Sequence, residues 1–247
     1  MIRISAVSYT NTIPFIYGLQ NHAISKEIQL SLDVPAMCAD KLKEDKVDIG
    51  LIPVAEILNL PESYIISDYC IGAKGAVDSV FIFSNCPIKD IKYIQLDPQS
   101  KSSNQLALVL LKNYWKIEPE FVLKAKEYGR SPHPKTAFVQ IGDRTFGQVD
   151  KHSFVYDLAA EWQKFTGLEF VFAAWVSNKK LDSGFIEKLN ESLKFGLDNR
   201  LKILENMEMR KDFDLIDYLM HKIDYQFTDS KKQALQLFHT YIKELSR

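Results

Sequence analysis

Four short clusters of hydroxyl, amide and carboxylate side chains each follow a predicted strand or begin a predicted helix. They are Ser8 to Thr12, Asp97 to Ser103, the single residue Ser79, and Gly142 to Arg144. Open α/β sheets bind their ligands at such strand ends. A serine-rich helix start offers free N–H groups and a favourable dipole to an anion, so these residue types indicate a site for a small carboxylate.

Each cluster also has a purely structural interpretation. Asn11 or Thr12 can cap a helix, and Ser102 with Gln105 fits a capping box. Asp143 can close a turn or form an ion pair. Five consecutive hydroxyl or amide side chains in the first cluster are more than capping requires, but both interpretations stay open at each position.

Other chemistries lack their motifs. Neither the dinucleotide-binding GxGxxG nor the phosphate-binding GxxxxGK[ST] is present, and GxSxG is missing as well. The five histidines form no pair at ligand spacing, and the spacing of Cys38, Cys70 and Cys86 fits neither a zinc site nor a disulfide framework. We expect no metal and no cofactor.

The composition is that of a globular protein without a polyanion-binding surface. Of 247 residues, 46% are hydrophobic and 26% are charged. The 31 Lys and Arg residues nearly balance the 32 Asp and Glu residues, which gives a net charge of −1. This balance excludes disorder, coiled coils and extended nucleic-acid binding. We expect no signal peptide and no membrane span, and thus a cytoplasmic monomer or homodimer that binds neither nucleic acid nor membrane.

Apolar periodicity predicts alternating strands and helices, which is typical of an α/β fold with a largely parallel sheet. A polar loop is expected at 126–134. The strands are predicted at 2–7, 28–35, 47–54, 79–84, 92–96, 136–143 and 171–177. The helices are predicted after residue 12, at 36–45, 100–115 and 157–167, from about 182, and from a cap at Thr228 or Asp229.

This order of elements predicts two α/β lobes, with the second inserted into the first. We expect lobe 1 to comprise residues 1–85 and 176–247, including the C-terminal helices. Lobe 2 then comprises residues 86–175.

Several segments together resemble the MqnA/MqnD family of menaquinone biosynthesis, and within it the chorismate dehydratases. The resemblance covers residues 2 to about 178, and the tail resembles the family only in its pattern. The dihydroxynaphthoate synthases, the sister group, begin with a Ser-Pro-Cys-Pro-Asn-type motif that is missing here. The segments are SYTNTIPFIYGL, VDIGLIPVAEIL, DYCIGAKGAVDSVFIFS, LDPQSKSSNQLALVLL, FVQIGDRTFG and YDLAAEWQKFTGLEFVFAAWV.

The resemblance implies a two-lobed architecture of the type II periplasmic-binding-protein kind, with a ligand cleft between the lobes and crossovers near 84–88 and 172–178. It also implies a lyase that removes water from chorismate to give 3-[(1-carboxyvinyl)oxy]benzoate, the first step of the futalosine route to menaquinone. Two alternatives stay open: the sister synthase activity, and a non-catalytic cytosolic binding module for a small carboxylate.

Chorismate chemistry then suggests roles for the polar clusters. The base is either the enolpyruvyl carboxylate of the substrate or Asp143. Lys101 stands where the family usually has Arg, and Thr10 where Leu is expected, so the role of Lys101 stays open. The predicted catalytic residues are Asn11 and Asp143, and the predicted substrate-binding residues are Ser8, Tyr9, Thr12, Ser79, Ser102, Ser103 and Gly142.

Overall fold

A computed structural model describes residues 1–122 and 133–245 of the chain. Most of the predicted polar loop, residues 126–132, lies outside the described residues. The strands are β1 (Ile2–Val7), β2 (Ile28–Asp33), β3 (Ile49–Pro53), β4 (Tyr64–Ala73), β5 (Val80–Ser84), β6 (Tyr93–Gln95), β7 (Glu120–Phe121), β8 (Thr136–Ile141), β9 (Phe154–Asp157), β10 (Phe170–Ser177) and β11 (Asp224–Gln226). The helices are α1 (Ile13–Asn21), α2 (Pro35–Lys43), α3 (Ser102–Val109), α4 (Leu158–Thr166), α5 (Ser183–Asp198), α6 (Arg200–Glu205), α7 (Leu215–Asp217) and α8 (Asp229–Leu245).

The strands form two sheets. The first has six strands in the order β11-β4-β10-β3-β1-β2, and the second has five in the order β7-β6-β8-β5-β9. In the first sheet β1 pairs in parallel with β2 and β3, whereas β10 runs antiparallel to both β3 and β4. Both sheets are therefore mixed, and the expectation of a largely parallel sheet is wrong for the half built from β4, β10 and β11.

Sheet membership departs from the expected lobe boundaries at two points. Strand β5 pairs with β8 and β9 in the second sheet, although it precedes the expected boundary at residue 85. All of β10 pairs in the first sheet, although the expected boundary at 175 falls inside it. The chain thus crosses between the sheets at 74–79 and 158–169, earlier than the crossovers expected near 84–88 and 172–178, and we propose to divide the lobes there.

Helix α1 is held by a close approach to α5. A Cβ atom on Gly196 would lie 1.8 Å from the carbonyl oxygen of Pro14, and one on Gly18 would lie 2.0 Å from that of Ser192. Only glycine permits backbones to come this near. Because α1 follows directly on the first polar cluster, this contact fixes the position of residues 8–12.

Candidate active site

A cleft between the two sheets contains about 550 Å³ of empty space, including the open solvent at its mouth. Both sheets contribute to its walls, at strand ends and at the start of a helix. The lining residues are Val7, Tyr9, Asn11, Thr12, Pro35, Pro53, Ile71, Val77, Ser79, Val80, Ser100, Ser102, Ser103, Ile141, Gly142, Phe172 and Ala173.

The cleft gathers most of the predicted site residues, since all four polar clusters reach its wall. Ser8 and Asp143 do not line it. Ser8 is exposed, and its N–H donates to the carbonyl oxygen of Asp33 at 2.9 Å, which continues the β1–β2 pairing. Lys101 is also exposed and does not line the cleft. The lining residues that the sequence predicted are Tyr9, Asn11, Thr12, Ser79, Ser102, Ser103 and Gly142.

The first cluster forms a 3₁₀ turn between β1 and α1. The N–H of Thr12 donates to the carbonyl oxygen of Tyr9 at 2.9 Å. The hydroxyl of Thr12 donates to Oδ1 of Asn11 at 3.1 Å, and neither side chain caps α1. The capping interpretation is therefore wrong here, and because Thr12 engages Oδ1, the amide NH₂ is the donor that Asn11 offers.

At the start of α3 the hydroxyl group of Ser102 reaches the opposite lobe. The backbone N–H of Ala55 donates to Oγ of Ser102 at 3.1 Å, and both groups are buried. The expected capping box is not formed, because Ser100 takes the cap instead: its Oγ accepts from the N–H of Ser103 at 3.2 Å. Since the oxygen of Ser102 accepts a bond from the protein, its proton is available to a ligand.

Ser79 stands on the segment that crosses from the first sheet to the second. The carboxylate of Asp157 accepts from the N–H groups of Val77 at 2.9 Å and Asp78 at 2.8 Å, and it also caps α4. Burial raises the pKa of Asp157 to about 6, against the opposing effect of these backbone bonds. The bonds hold Ser79 in place at the cleft wall.

Tyr218 lies behind Ser79 and is a residue that sequence reasoning missed. Its hydroxyl donates to Oγ of Ser79 at 2.8 Å, and the side chain of Asn11 hydrogen-bonds to the same hydroxyl. Burial raises the pKa of Tyr218 well above its usual value, so the phenol stays protonated at neutral pH. The donated bond leaves the proton of Ser79 available to the cleft, as with Ser102.

Gly142 lets the ring of Tyr9 approach the second lobe. Gly142 has φ +65°, and a Cβ there would lie 2.9 Å from Cδ2 and Cε2 of Tyr9. The hydroxyl of Tyr9 donates to Oε1 of Gln99 at 2.6 Å. Tyr9 therefore bridges both lobes along one edge of the cleft.

Asp143 also bridges the lobes, just outside the cleft wall. Its carboxylate accepts from the N–H of Thr10 at 3.1 Å and from the hydroxyl of Thr10 at 2.9 Å. Burial raises the pKa of Asp143, while the bonds from Thr10 act in the opposite direction. Thr10 stands where the family is expected to have Leu, so its hydroxyl adds a hydrogen bond to this contact between the lobes.

The walls of the cleft are electrically neutral. Among the residues that the structure describes, none that lines the cleft is acidic, basic or a histidine. Behind the wall the guanidinium of Arg144 binds the buried carboxylate of Asp97, with Nη2 2.6 Å from Oδ2. Any anion in the cleft therefore meets hydroxyls, amides, backbone N–H groups and the N-terminus of α3 rather than a formal positive charge.

The remaining sequence expectations concern metals and membranes. Within residues 1–122 and 133–245, no three His, Cys, Asp or Glu side chains are grouped as metal ligands, and no helix is both long and apolar enough to cross a bilayer. Cys38, Cys70 and Cys86 are buried free thiols.

Solved structures with similar folds have low sequence identity to this chain. Protein AF1704 from Archaeoglobus fulgidus aligns over 99% of this chain and 97% of its own, with a TM-score of 0.71 and 14% identity. The periplasmic aliphatic sulphonate binding protein SsuA from Escherichia coli aligns over 99% of this chain and 92% of its own, with a TM-score of 0.58 and 14% identity. At these identities the similarity shows the fold alone, and it confirms the periplasmic-binding-protein architecture.

Sequence comparison places the chain more narrowly. A chorismate dehydratase from Campylobacter jejuni subsp. jejuni serotype O:23/36 (strain 81-176) is 27% identical over 254 residues, covering 97% of each protein. A family model described as menaquinone biosynthesis matches residues 2–244, which includes the helical tail. The chain therefore belongs to the menaquinone-biosynthesis family.

Proposed function

We propose that this protein is a chorismate dehydratase, a lyase that converts chorismate to 3-[(1-carboxyvinyl)oxy]benzoate at the start of the futalosine route to menaquinone. The observation that carries the proposal is a neutral cleft in which Ser79 and Ser102 both present hydroxyl protons to a ligand. Family membership and the Campylobacter relative support the same activity.

The reaction needs orientation and donors more than it needs a strong acid or base. Chorismate is a dianion, and loss of water makes its ring aromatic, so the reaction is strongly downhill. The C3 proton leaves as negative charge spreads through the ring alkene to the C1 carboxylate, and the C4 hydroxyl departs. Fixed donors at that carboxylate stabilise the developing charge, and no oxidation or reduction occurs, so the proposed reaction requires no redox cofactor.

The arrangement of donors suggests where each end of the substrate binds. The hydroxyls of Ser102 and Ser103, together with the N-terminus of α3, would bind one carboxylate. Ser79 would bind the other from the opposite wall. The NH₂ group of Asn11 would donate to the departing C4 hydroxyl, because its Oδ1 is already engaged by Thr12.

For the proton acceptor we favour the enolpyruvyl carboxylate of the substrate over Asp143. Both oxygens of Asp143 lie within 3.2 Å of the Thr10 backbone nitrogen, and the residue does not line the cleft. The enolpyruvyl group is attached at C3 itself, so its carboxylate reaches the C3 proton without help from the protein. Asp143 then serves as a contact between the lobes.

The test is to incubate the purified protein with chorismate and to identify the product by mass spectrometry. We expect a product lighter by one water that keeps its enolpyruvyl group. Release of pyruvate would contradict a dehydratase. Chorismate recovered bound but unchanged would favour a binding module, and turnover of a cyclised futalosine derivative in place of chorismate would favour the sister synthase.

Substitution of one wall serine tests the proposed carboxylate site. Ser102→Ala should raise KM for chorismate about 10- to 150-fold, because the loss of one hydrogen bond to a charged group costs about 1.5–3 kcal/mol. Ser192→Ala is the matched control: its buried hydroxyl has no hydrogen-bond partner among the described residues, and it lies on α5 outside the cleft. Equal KM values for Ser102→Ala and the wild type would contradict the assignment.

A further inference from the structure

Two buried tyrosines of the C-terminal segment reach the back of the cleft without lining it. Tyr218 begins the π-turn after α7, and Tyr225 is the central residue of β11. Their side chains contact Ser79 and Asn11, which are separated from them by more than a hundred residues of chain. Neither tyrosine is a lining residue of the cleft.

Tyr225 fixes the main chain at Asn11. Its hydroxyl donates to the carbonyl oxygen of Asn11 at 2.9 Å. Its ring packs edge-on against Phe15 of α1, with centroids 5.2 Å apart, and the guanidinium carbon of Arg200 lies 5.7 Å from the ring centre. The 3₁₀ turn that carries Asn11 is thereby tied to β11 as well as to α1.

A fully buried lysine holds the strand that carries Tyr225. Nζ of Lys231, in α8, lies 2.5 Å from Oδ1 and 3.1 Å from the carbonyl oxygen of Asp224, and 2.6 Å from the carbonyl oxygen of Gln226. These two residues flank Tyr225, so Lys231 fixes the backbone on both sides of it. Because Lys231 is fully buried and bonds to the residues on both sides of Tyr225, Tyr225 has little freedom to move.

Tyr218 sets the direction of hydrogen bonding at Ser79 and contacts the side chain of Asn11. As donor to Oγ of Ser79, it leaves that serine to donate its proton toward the cleft. Burial raises the pKa of both tyrosines, so both remain donors at neutral pH.

We propose that Tyr218 and Tyr225 are positioning residues that orient Ser79 and Asn11 for the dehydration of chorismate. This inference rests on the proposed function. Tyr218 acts through the hydroxyl of Ser79 and the amide of Asn11, whereas Tyr225 acts through the main chain of Asn11. Neither touches the substrate.

Tyr218→Phe and Tyr225→Phe remove only the hydroxyls and keep the packed rings. We expect each to lower kcat about five- to tenfold, the factor that corresponds to one ordinary hydrogen bond, with KM changed less than about twofold. Tyr156→Phe is the control, because its hydroxyl also bonds to the backbone, accepting from the N–H of Ile88 at 2.8 Å, but it lies away from the cleft. Tyr156→Phe should leave kcat unchanged.

A double-mutant cycle separates positioning from general support of the fold. If Tyr225 acts through Asn11, Tyr225→Phe should have no further effect on kcat in an Asn11→Ala background. Tyr218→Phe should have a smaller effect in a Ser79→Ala background than in the wild type, because only its contact with Asn11 then remains. The same fold-loss in both backgrounds would overturn the inference.

A spectroscopic measurement keeps the two proposals distinguishable. In ¹⁵N-labelled protein, the side-chain NH₂ signals of Asn11 should shift in Tyr218→Phe and Tyr225→Phe but not in Tyr156→Phe. Unshifted signals would overturn the positioning role whatever the protein catalyses. Shifted signals in a protein that leaves chorismate unchanged would instead overturn the dehydratase proposal and keep the hydrogen-bonded positioning of Asn11.

Discussion

At the residue scale, the direction of each hydrogen bond matters more than the number of polar groups. Tyr218 donates to Ser79, and the N–H of Ala55 donates to Ser102, so both serines keep a proton for a ligand. A carboxylate only accepts hydrogen bonds, so it matches two such hydroxyls without any lysine or arginine in the wall. The helix N-terminus beside Ser102 adds a favourable partial charge.

At Gly142, the addition of a single methyl group should affect both the stability of the fold and the binding of chorismate. Gly142→Ala should lower the free energy of unfolding by about 2–4 kcal/mol, because it adds a clash with Tyr9 to the cost of a positive φ. The displaced ring should also raise KM for chorismate about tenfold.

Gly167→Ala is its control, since Gly167 has φ +76° but a Cβ added there would have nothing within 4 Å. It should cost only about 1 kcal/mol and leave KM unchanged. Chemical denaturation measures the free energy of unfolding of both variants, and steady-state kinetics measures their KM for chorismate. The prediction fails if the two substitutions have equal effects on KM.

The polar clusters were predictable from the sequence because they sit at strand ends and helix starts, where local pattern is informative. Tyr218 and Tyr225 were not predictable, because their partners are distant in the chain. Tyr218 lies 139 residues from Ser79, and Tyr225 lies 214 residues from Asn11. Nothing in the local sequence marks a buried tyrosine as a hydrogen-bond donor to a distant serine. Ser8 shows the converse, since it belongs to a polar cluster but does not line the cleft.

At the element scale, the contact between α1 and α5 positions the first polar cluster. Gly196→Ala should lower the free energy of unfolding by about 3 kcal/mol, because its methyl group would collide with the carbonyl of Pro14. By moving α1 it should also reduce kcat/KM for chorismate.

The matched variant lies on the same helix. Gly184→Ala adds a methyl group whose nearest neighbour is Oδ1 of Asp182 at 3.1 Å, at the helix start. It should change the free energy of unfolding by no more than about 1 kcal/mol, because the better helix propensity of alanine offsets the close approach to this capping carboxylate. Thermal unfolding of the two variants measures the difference, and similar losses in both would contradict the close-approach argument.

Strand order shows where local pattern stops being informative. The alternation of β1 and β2 predicted both strands, although residues 4–7 of β1 are buried on both faces and Leu32 of β2 is exposed. The ten residues of β4 were not predicted, because polar residues such as Ser67 and Asp68 interrupt the pattern. Periodicity also cannot say which sheet a strand joins, which is why β5 was expected on the other side of the lobe boundary.

At the scale of the whole molecule, side-chain contacts around the cleft join the two sheets. Tyr9 bonds to Gln99, Thr10 to Asp143, and Ala55 to Ser102. Such contacts would hold the two lobes together around the bound substrate. Their strength should therefore appear in KM more than in the chemical step.

The contact between Thr10 and Asp143 should make KM depend on pH. The raised pKa of Asp143 means that it takes up its proton at a higher pH than the ordinary value of 3.8. Because this pKa is raised where Asp143 is buried between the lobes, protonation favours the closed contact, so KM for chorismate should fall as pH drops through that raised value. Asp143→Asn should lose this pH dependence of KM while kcat stays within about tenfold of the wild type.

Asp198→Asn serves as the control, because it neutralises an exposed carboxylate paired with Lys194 outside the cleft. It should keep the pH profile of the wild type. A fall in kcat of more than about a thousandfold in Asp143→Asn, with KM unchanged, would instead identify Asp143 as the proton acceptor.

The central claim is that this cleft removes the C3 proton and the C4 hydroxyl of chorismate. The most direct measurement uses chorismate carrying deuterium at C3 and follows the product of the wild-type protein by mass spectrometry. We predict a product that has lost one HDO and retains the enolpyruvyl ether, at a rate that Asn11→Ala lowers strongly. A product that keeps its deuterium, or chorismate returned unchanged, would contradict the account.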